Sequence, residues 1–213
     1  MAQRVLRALT AVPAITAVSV VTACEEVGRF AAGMGAAVIH QDEDGGTAAA
    51  FAHAVATLRR GGLPARTLMI AGDLPLIAAS DLMSLANRQT VNPGVLIVPD
   101  RKRIGTNALL CSPPDAIEPR FGAESFQGHV SAARAAGVPY QVVESPALSL
   151  DIDVADDLEL LRNCGGFTLD RPAPVMPRRL TQLYRPPDSA ARMFAGESGR
   201  RISGIAARKT SLT

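Results

Sequence analysis

Short apolar runs alternate with amphipathic stretches along the first 164 residues of this chain. The apolar runs predict strands, whereas apolar residues that recur every three or four positions predict helices. The chain opens on such an amphipathic stretch, in which Val5, Leu6 and Leu9 share one face. Regular alternation of the two patterns is typical of a mostly parallel sheet covered by helices on both faces. The sequence therefore predicts an α/β fold.

The pattern also predicts where the individual elements lie. We expect helices at 2–11, Glu25–Ala32, Thr47–Arg60, Asp81–Gln89, Ala123–Ala136 and Ala155–Asn163. We expect strands at Thr16–Thr22, Ala36–His40, Arg66–Ala71, Gly94–Val98, Thr106–Cys111 and Tyr140–Val143. Ser80 is expected to be the N-cap of the fourth helix, because its hydroxyl oxygen can accept from a backbone N–H of the first turn.

The strand before residue 72 ends on Gly72-Asp73-Leu74-Pro75. Its continuous apolar run indicates a strand buried on both faces, and ligand sites in such sheets lie beyond the carboxyl ends of the strands. Asp73 is therefore expected at a ligand-binding edge, where Gly72 allows close backbone approach. A carboxylate in that position suits a hard cation such as Mg²⁺. On its own, Asp73 is equally well explained as a residue of a strand-to-helix turn.

A second acidic cluster lies at Asp151 and Asp153. Residues two apart in an extended segment point to the same side, so these carboxylates repel each other unless a cation neutralises them. The acids that follow, Asp156 and Asp157, are explained by the first turn of a helix, where the helix dipole favours negative charge. We interpret Asp73, Asp151 and Asp153 as a divalent-metal site.

Three loops carry candidate anion-binding groups. Gly45 and Gly46 precede a helix whose N-terminus suits a phosphate, although no P-loop lysine follows and a surface turn is an equal explanation. The loop 99–107 concentrates three cations beside a Gly-Thr-Asn sequence and suits a phosphate or carboxylate, the alternative being a solvated basic loop. Ser125, at a predicted helix start, could donate to an anion or simply cap the helix. His129 is expected to be a structural hydrogen-bonding residue rather than a base.

Composition limits the possible classes of protein. The chain has 213 residues, 47% of them hydrophobic, and no apolar run long enough to cross a bilayer. Its three cysteines are far apart, which argues against zinc and against a disulfide framework, and the N-terminus lacks a secretory signal. We therefore expect a cytoplasmic protein with no membrane partner.

The formal net charge of +2 is unevenly distributed along the chain, because residues 165–213 are rich in arginine and proline. They are predicted to be a disordered tail after an α/β domain of residues 1–164, and the tail lacks the aromatic residues that would favour a nucleic-acid partner.

Four motifs occur in a fixed order and carry a family resemblance. They are GDLPLI, then PDR followed by GTNALL, then FGAES followed by a histidine, and then LDIDVADDL. Together they resemble the guanylyltransferases that begin side-chain assembly of the deazaflavin coenzyme F-420, relatives of the molybdenum-cofactor guanylyltransferases. The resemblance covers about residues 1–162. It implies the Rossmann-like, mostly parallel sheet of the nucleotide-diphospho-sugar transferases.

The resemblance also implies a reaction and a set of site residues. GTP and 2-phospho-L-lactate, phosphoenolpyruvate or 3-phospho-D-glycerate would give a guanylyl-linked diphosphate and pyrophosphate, and the downstream transferase of the pathway would be a partner. The implied sites are a Mg²⁺ site at Asp73, Asp151 and Asp153, an acid-phosphate site at Thr106, Gly122 and Ser125, and nucleotide contacts at Gly45, Gly46 and Gly72. No protein nucleophile is needed, since alignment and charge neutralisation suffice for such transfers.

The chain departs from the family pattern at two places. The family begins with a central strand and a loop that carries Lys or Arg, whereas Met1 falls at the start of the helix that follows them. We therefore expect a truncated domain that lacks its first strand. Thr47 and Ala48 stand where the family has Leu-Asn. Three alternatives follow: a degenerate paralogue that binds metal and acid without catalysis, a partner protein that docks through its basic tail, or a nucleotidyltransferase that uses another nucleotide or a sugar phosphate. The three aspartates favour the enzyme, because a non-catalytic module has little reason to keep repelling carboxylates together.

Overall fold

A computed structural model describes residues 1–62, 64–152, 155–163 and 202–207. The strands are β1 Ile15–Thr22, β2 Ala37–His40, β3 Thr67–Ala71, β4 Gly94–Pro99, β5 Thr106–Ser112, β6 Tyr140–Val142 and β7 Ile202–Ala207. The helices are α1 Ala2–Thr10, α2 Glu25–Gly33, α3 Gly46–Gly61, α4 Ala79–Asn87, α5 Ser125–Ala135, α6 Pro146–Ser149 and α7 Ala155–Asn163. Most of these elements agree with the pattern of apolar positions along the chain.

The strands form one sheet in the order β2-β1-β7-β3-β5-β4-β6. All neighbouring pairs are parallel except those made by β5, which runs antiparallel to both β3 and β4. The predicted mostly parallel α/β sheet is therefore confirmed. Since β5 runs opposite to β3, it begins at the edge of the sheet where β3 ends, and this brings residues 106 and 107 to the end of β3.

The centre of the sheet is where the structure differs from the sequence-based expectation. The sequence predicts a sheet without one central strand and assigns residues 165–213 to a tail outside the domain. Instead, β7 lies between β1 and β3 and pairs in parallel with both, with Ile205 opposite Ser19 on one side and Met69 on the other. Six residues of the assigned tail thus complete the sheet. The local pattern of β7 gives no sign of this, because its place depends on backbone pairing with strands far away along the chain.

Alternating side chains of the central strands build one apolar core on each face of the sheet. On β3, Leu68 and Ile70 pack on the face covered by α1 and α4, whereas Met69 points to the face covered by α3 and α5. Leu110 and Leu109 on β5 divide in the same way. This period of two, with both faces apolar, is what a sheet covered on both sides requires.

Two helix starts differ from their predicted positions. The N-cap of α4 is Ala78 rather than Ser80, and the Ala78 N–H donates to Asp81 Oδ2 at 2.9 Å. The acid in the third helical position thus accepts from the N-cap residue, and the N-cap itself supplies no side-chain hydrogen bond. Helix α5 begins at Ser125 rather than Ala123, because Gly122 (φ +119°) and Glu124 (φ +54°) have positive φ angles that interrupt the helix.

Candidate active site

The carboxyl ends of β1, β2, β3 and β7 lie at one edge of the sheet, and the predicted Asp73 lies there. Gly72 is buried and Asp73 half-buried, directly after β3. The Arg4 guanidinium of α1 donates to the Pro75 carbonyl at 2.7 Å and so fixes the chain that leaves this edge. The prediction that Asp73 follows a fully buried strand at the carboxyl edge is confirmed.

Two hydrogen bonds bring the segment that carries Asp151 to the same edge. Asn107, fully buried near the start of β5, donates from Nδ2 to the Leu148 carbonyl at 3.1 Å. The Arg101 N–H donates to the Ser149 carbonyl at 2.8 Å. Asp151 follows within two residues and is 9% exposed. The structure therefore ties the chain around Asp151 to the start of β5, which adjoins the end of β3.

The chemistry at this edge suits a hard cation. Asp73 and Asp151 supply carboxylate oxygens, the ligand type that Mg²⁺ prefers. Asp153, the third predicted ligand, lies outside the described residues. Within the described part of the chain, no group of three His, Cys, Asp or Glu side chains has the geometry of a metal site.

Asp100 holds the loop between β4 and β5 closed. Its two carboxylate oxygens accept from the N–H groups of Ile104 and Gly105, each at 2.9 Å, and its own N–H donates to the Gly105 carbonyl at 3.0 Å. A Cβ on Gly105 would lie 3.0 Å from Asp100 Oδ2, so this position favours glycine. The loop thus delivers Thr106 to the sheet edge in a fixed register.

The cations of this loop have other partners than a bound anion. Arg101 forms an ion pair with Asp157 of α7 at 3.2 Å, and Arg103 pairs with Glu144. The guanidinium of Arg103 also lies 5.0 Å above the centre of the Phe126 ring. Lys102 is exposed. Two of the three cations expected to attract a ligand therefore help to fasten the loop to α7, to the chain before α6 and to α5.

Thr106, Ser125 and His129 form a buried hydrogen-bond network behind this loop. The Thr106 N–H donates to Ser125 Oγ at 2.8 Å, and Thr106 Oγ1 lies 2.9 Å from His129 Nδ1. On the other side of the ring, the Arg120 N–H donates to His129 Nε2 at 2.8 Å. Thr106 and Ser125 are each 2% exposed and His129 is fully buried. The structural role expected for His129 is confirmed.

The environment of His129 favours the neutral ring. Burial, helped by the positive charge of Arg120, lowers the pKa of His129 from 6.5 to about 4. The Phe121 ring packs edge-on against the imidazole, with 5.1 Å between the ring centres. His129 therefore stays uncharged at neutral pH, and its two nitrogens have different hydrogen-bonding roles.

Several backbone N–H groups around the predicted acid-phosphate site already have acceptors. The Thr106 N–H is taken by Ser125, the Ser125 N–H donates to the Gly122 carbonyl at 3.2 Å, and the Phe126 N–H donates to the Ile104 carbonyl at 3.0 Å. Gly122 is exposed at the entrance to α5, with a φ of +119° that favours glycine. What the network leaves for a ligand is mainly the hydroxyl groups of Thr106 and Ser125.

The predicted nucleotide loop begins after β2, at the same carboxyl edge. Gly45 is the N-cap of α3 and Gly46 has a φ of +79°. Their N–H groups donate to the Glu43 carbonyl and, at 3.0 Å, to Asp44 Oδ1. A Cβ on Gly45 would lie 2.8 Å from that of Ala49, so the helix start needs a glycine there. These contacts explain the glycines through local geometry.

Sequence patterns missed two contributors to the site. Asp100 belongs to the loop in which the sequence pattern emphasises the three cations, and its role depends on hydrogen bonds to N–H groups four and five residues later, which that pattern does not specify. Asn107 is part of the Gly-Thr-Asn sequence, and its hydrogen bond to the Leu148 carbonyl joins residues 41 positions apart, which no local pattern encodes. Among the described residues, no helix is long and apolar enough to cross a membrane.

Comparisons with known proteins agree with this architecture. A family model described as "Guanylyl transferase CofC like" matches residues 1–166. Over 159 residues the chain is 37% identical to the phosphoenolpyruvate guanylyltransferase of Conexibacter woesei, covering 74% of this chain and 71% of that protein. It is 33% identical to the 3-phospho-D-glycerate guanylyltransferase of Phenylobacterium zucineum, covering 74% and 72%.

A solved structure of CMP:2-keto-3-deoxy-manno-octonic acid synthetase complexed with CTP has a similar fold. The TM-score is 0.52, with 15% identity over 76% of this chain and 86% of that protein. At that identity the likeness concerns the fold alone. The family match covers residues 1–166, most of the chain. The chain therefore belongs to the CofC-like family of guanylyl transferases, which are nucleotidyltransferases.

Proposed function

We propose that the chain transfers a guanylyl group from GTP to a small phosphorylated three-carbon acid. A phosphate oxygen of the acid attacks the α-phosphorus of GTP, and a new P–O bond forms. The bond between the α-phosphorus and the bridging oxygen breaks, and pyrophosphate leaves with that oxygen. The products are a guanylyl-linked diphosphate of the acid and pyrophosphate, so atoms and charge balance without a covalent enzyme intermediate.

The observation that carries this proposal is the meeting of two chemically different groups at the end of β3. The buried Thr106–Ser125 pair and the segment of Asp151 are linked through Asn107, the residue after Thr106. Hydroxyl donors suit the phosphate of an acceptor, and carboxylates suit the cation that accompanies a nucleoside triphosphate. A transfer between two phosphorylated substrates needs both groups side by side.

The residues have distinct proposed roles. Asp73 and Asp151, with Asp153 beyond the described residues, would hold Mg²⁺, whose charge would offset the negative charge that develops on the transferring phosphate. Thr106 and Ser125 would orient the acid's phosphate with their hydroxyls, and Gly122 would allow its close approach. Gly72, Gly45 and Gly46 would border the nucleotide. Catalysis would then come from alignment and charge neutralisation.

The names of the relatives support a phosphorylated acid as the acceptor, since they include enzymes for phosphoenolpyruvate and for 3-phospho-D-glycerate. These acids, and 2-phospho-L-lactate, share a phosphate ester and a carboxylate on a three-carbon frame. The proposed pathway is the one that the sequence motifs imply, the assembly of coenzyme F-420. The transferase that takes the guanylyl-linked product onward would be the partner.

The direct test is pyrophosphate release by the chain with GTP, Mg²⁺ and each of the three acids in parallel. We expect release with GTP and one acid, at least about tenfold above the rate with CTP, ATP or UTP. The product should carry one phosphorus from GTP and one from the acid, joined as a diphosphate detectable by ³¹P NMR. Faster pyrophosphate release with CTP than with GTP would show that CTP is the donor. If a folded chain binds the acid but releases no pyrophosphate, a non-catalytic paralogue is favoured.

A further inference from the structure

We propose that His129 is a positioning residue that turns the hydroxyl proton of Thr106 toward the phosphate of the acid substrate. The inference rests on the proposed function, which makes the surroundings of Thr106 and Ser125 the acid site. It assigns a task to a fully buried histidine beyond its structural hydrogen bonds. The argument starts from the hydrogen bonds on the two sides of the ring.

The tautomer of His129 follows from its neighbours. A backbone N–H can only donate, and the Arg120 N–H points at Nε2 from 2.8 Å, so Nε2 must present a lone pair. The ring is neutral and its one proton therefore sits on Nδ1. Nδ1 lies 2.9 Å from Thr106 Oγ1, so the histidine donates and the threonine hydroxyl accepts. No other assignment satisfies both contacts.

This assignment excludes one direction for the threonine proton, the one toward the ring. A hydroxyl has one proton and two lone pairs, and one lone pair of Thr106 Oγ1 faces the imidazole. The proton must then point away from His129, and none of the described residues accepts it. Ser125 Oγ likewise accepts one hydrogen bond, from the Thr106 N–H, and still has its own proton to donate. Buried donors normally find an acceptor, and an anionic phosphate oxygen would serve for both.

The surroundings of the ring make it a rigid support. His129 lies one turn into α5, is fully buried and is held at both nitrogens. Phe121 packs edge-on against the imidazole and limits its rotation. A hydroxyl rotor on the surface would sample all its directions, whereas the proton of Thr106 is kept from the side of the ring. Such an arrangement lowers the cost of ordering the donor when the acid binds.

Two variants of His129 separate positioning from simple packing. In His129→Asn the amide NH₂ can occupy the place of Nδ1 and donate to Thr106. In His129→Gln the longer amide reaches the place of Nε2, where its oxygen can accept from the Arg120 N–H, and Thr106 loses its donor. Both variants replace the ring with a smaller amide. A purely structural role would affect them alike, whereas positioning predicts a difference in affinity for the acid.

The experiment measures the Kd of phosphoenolpyruvate by calorimetry and the KM of GTP for wild type, His129→Asn and His129→Gln. We expect His129→Gln to bind the acid about five- to tenfold more weakly than His129→Asn, the loss of about one oriented hydrogen bond, with the KM of GTP changed less than about twofold. In a Thr106→Val background this difference should disappear, because the hydroxyl that His129 orients is gone. Equal acid affinity of the two variants, or a difference that persists in the Thr106→Val background, would overturn the proposal.

A measurement on the unmodified chain covers the case in which His129→Gln does not fold. Long-range ¹H–¹⁵N NMR of the wild-type histidine should show a protonated Nδ1 and a bare Nε2, and a protonated Nε2 would overturn the proposal. Failure of the proposed function has a different signature. If wild type binds phosphoenolpyruvate with the expected variant pattern but releases no pyrophosphate, guanylyl transfer fails and the role of His129 stands.

Discussion

Asn107 Nδ2 donates to the backbone carbonyl of Leu148 at 3.1 Å, and this bond joins β5 to the chain segment that carries Asp151. Asn107 is fully buried and Leu148 is 1% exposed, so water cannot replace either partner. The bond spans 41 residues of sequence. The same strand therefore supports both halves of the proposed site, with Thr106 in the buried network of Ser125 and His129 and with Asn107 holding the Asp151 segment.

Replacing Asn107 should loosen the metal side of the site. In Asn107→Leu the carbonyl of Leu148 stays buried without a donor, which costs about 1–3 kcal/mol of unfolding free energy. We also expect the Mg²⁺ concentration for half-maximal pyrophosphate release to rise about fivefold or more, because the Asp151 segment loses its anchor. Urea unfolding and a Mg²⁺ titration measure the two effects.

Ser112→Ala is the matched control for that variant. Ser112 lies at the other end of β5 and donates from its hydroxyl to the Ala65 carbonyl at 3.3 Å. Its loss should lower stability by about 1 kcal/mol and leave the Mg²⁺ requirement unchanged. If Asn107→Leu loses stability while its Mg²⁺ requirement stays at the wild-type value, the anchor has no bearing on the metal.

The stability of the chain should fall in acid through His129. Its folded pKa of about 4 lies below the 6.5 of an ordinary histidine, so between these values the unfolded chain binds a proton that the folded chain does not. The contribution is fully present above pH 6.5 and is lost progressively as the pH falls toward 4, by about 3 kcal/mol in all. Urea unfolding at several pH values should show this slope, and His129→Gln should reduce it. An equal slope in both proteins would contradict the assignment.

The pairing of β7 with both β1 and β3 predicts that its backbone is essential to the domain. A proline at Ile205 removes an N–H from the centre of the strand and disturbs the pairing with Ser19 and Met69. We expect Ile205→Pro to lower the unfolding free energy by about 3 kcal/mol, whereas Ile205→Val, which keeps the backbone groups, should lower it by about 1 kcal/mol or less. Chemical denaturation checks both variants. Equal stability of Ile205→Pro and wild type would show that β7 contributes nothing to the sheet.

Much of the site edge could be predicted from the sequence because short-range patterns encode it. The fully apolar run before Gly72 specified a strand buried on both faces, and the Gly-Asp turn after it specified where that strand ends. The prediction of Ser80 as the N-cap is wrong, because the helix begins two residues earlier, where Asp81 in the third helical position accepts from the N–H of Ala78. Local patterns thus placed the elements and missed the residue at which this helix begins.

The parts that could not be predicted depend on distant pairing. The segment Ile202–Ala207 contains glycine, serine and alanine and follows a stretch rich in arginine and proline, so it resembles a tail. Its place in the sheet depends on Ser19 and Met69, far earlier in the chain. The donor roles at His129 likewise depend on Arg120 and Thr106, which only the folded loop brings to opposite sides of the ring.

The central claim is a Mg²⁺-dependent guanylyl transfer that uses the aspartates beside β3, and Asp151→Asn tests it most directly. We expect pyrophosphate release from GTP and the acid to fall at least about 100-fold, because loss of a metal ligand removes several kcal/mol of charge stabilisation, with the urea midpoint unchanged. Asp115→Asn, which breaks a partly exposed ion pair with Arg59 at 3.0 Å, is the control and should keep full activity. Wild-type, Mg²⁺-dependent release by Asp151→Asn would contradict the account.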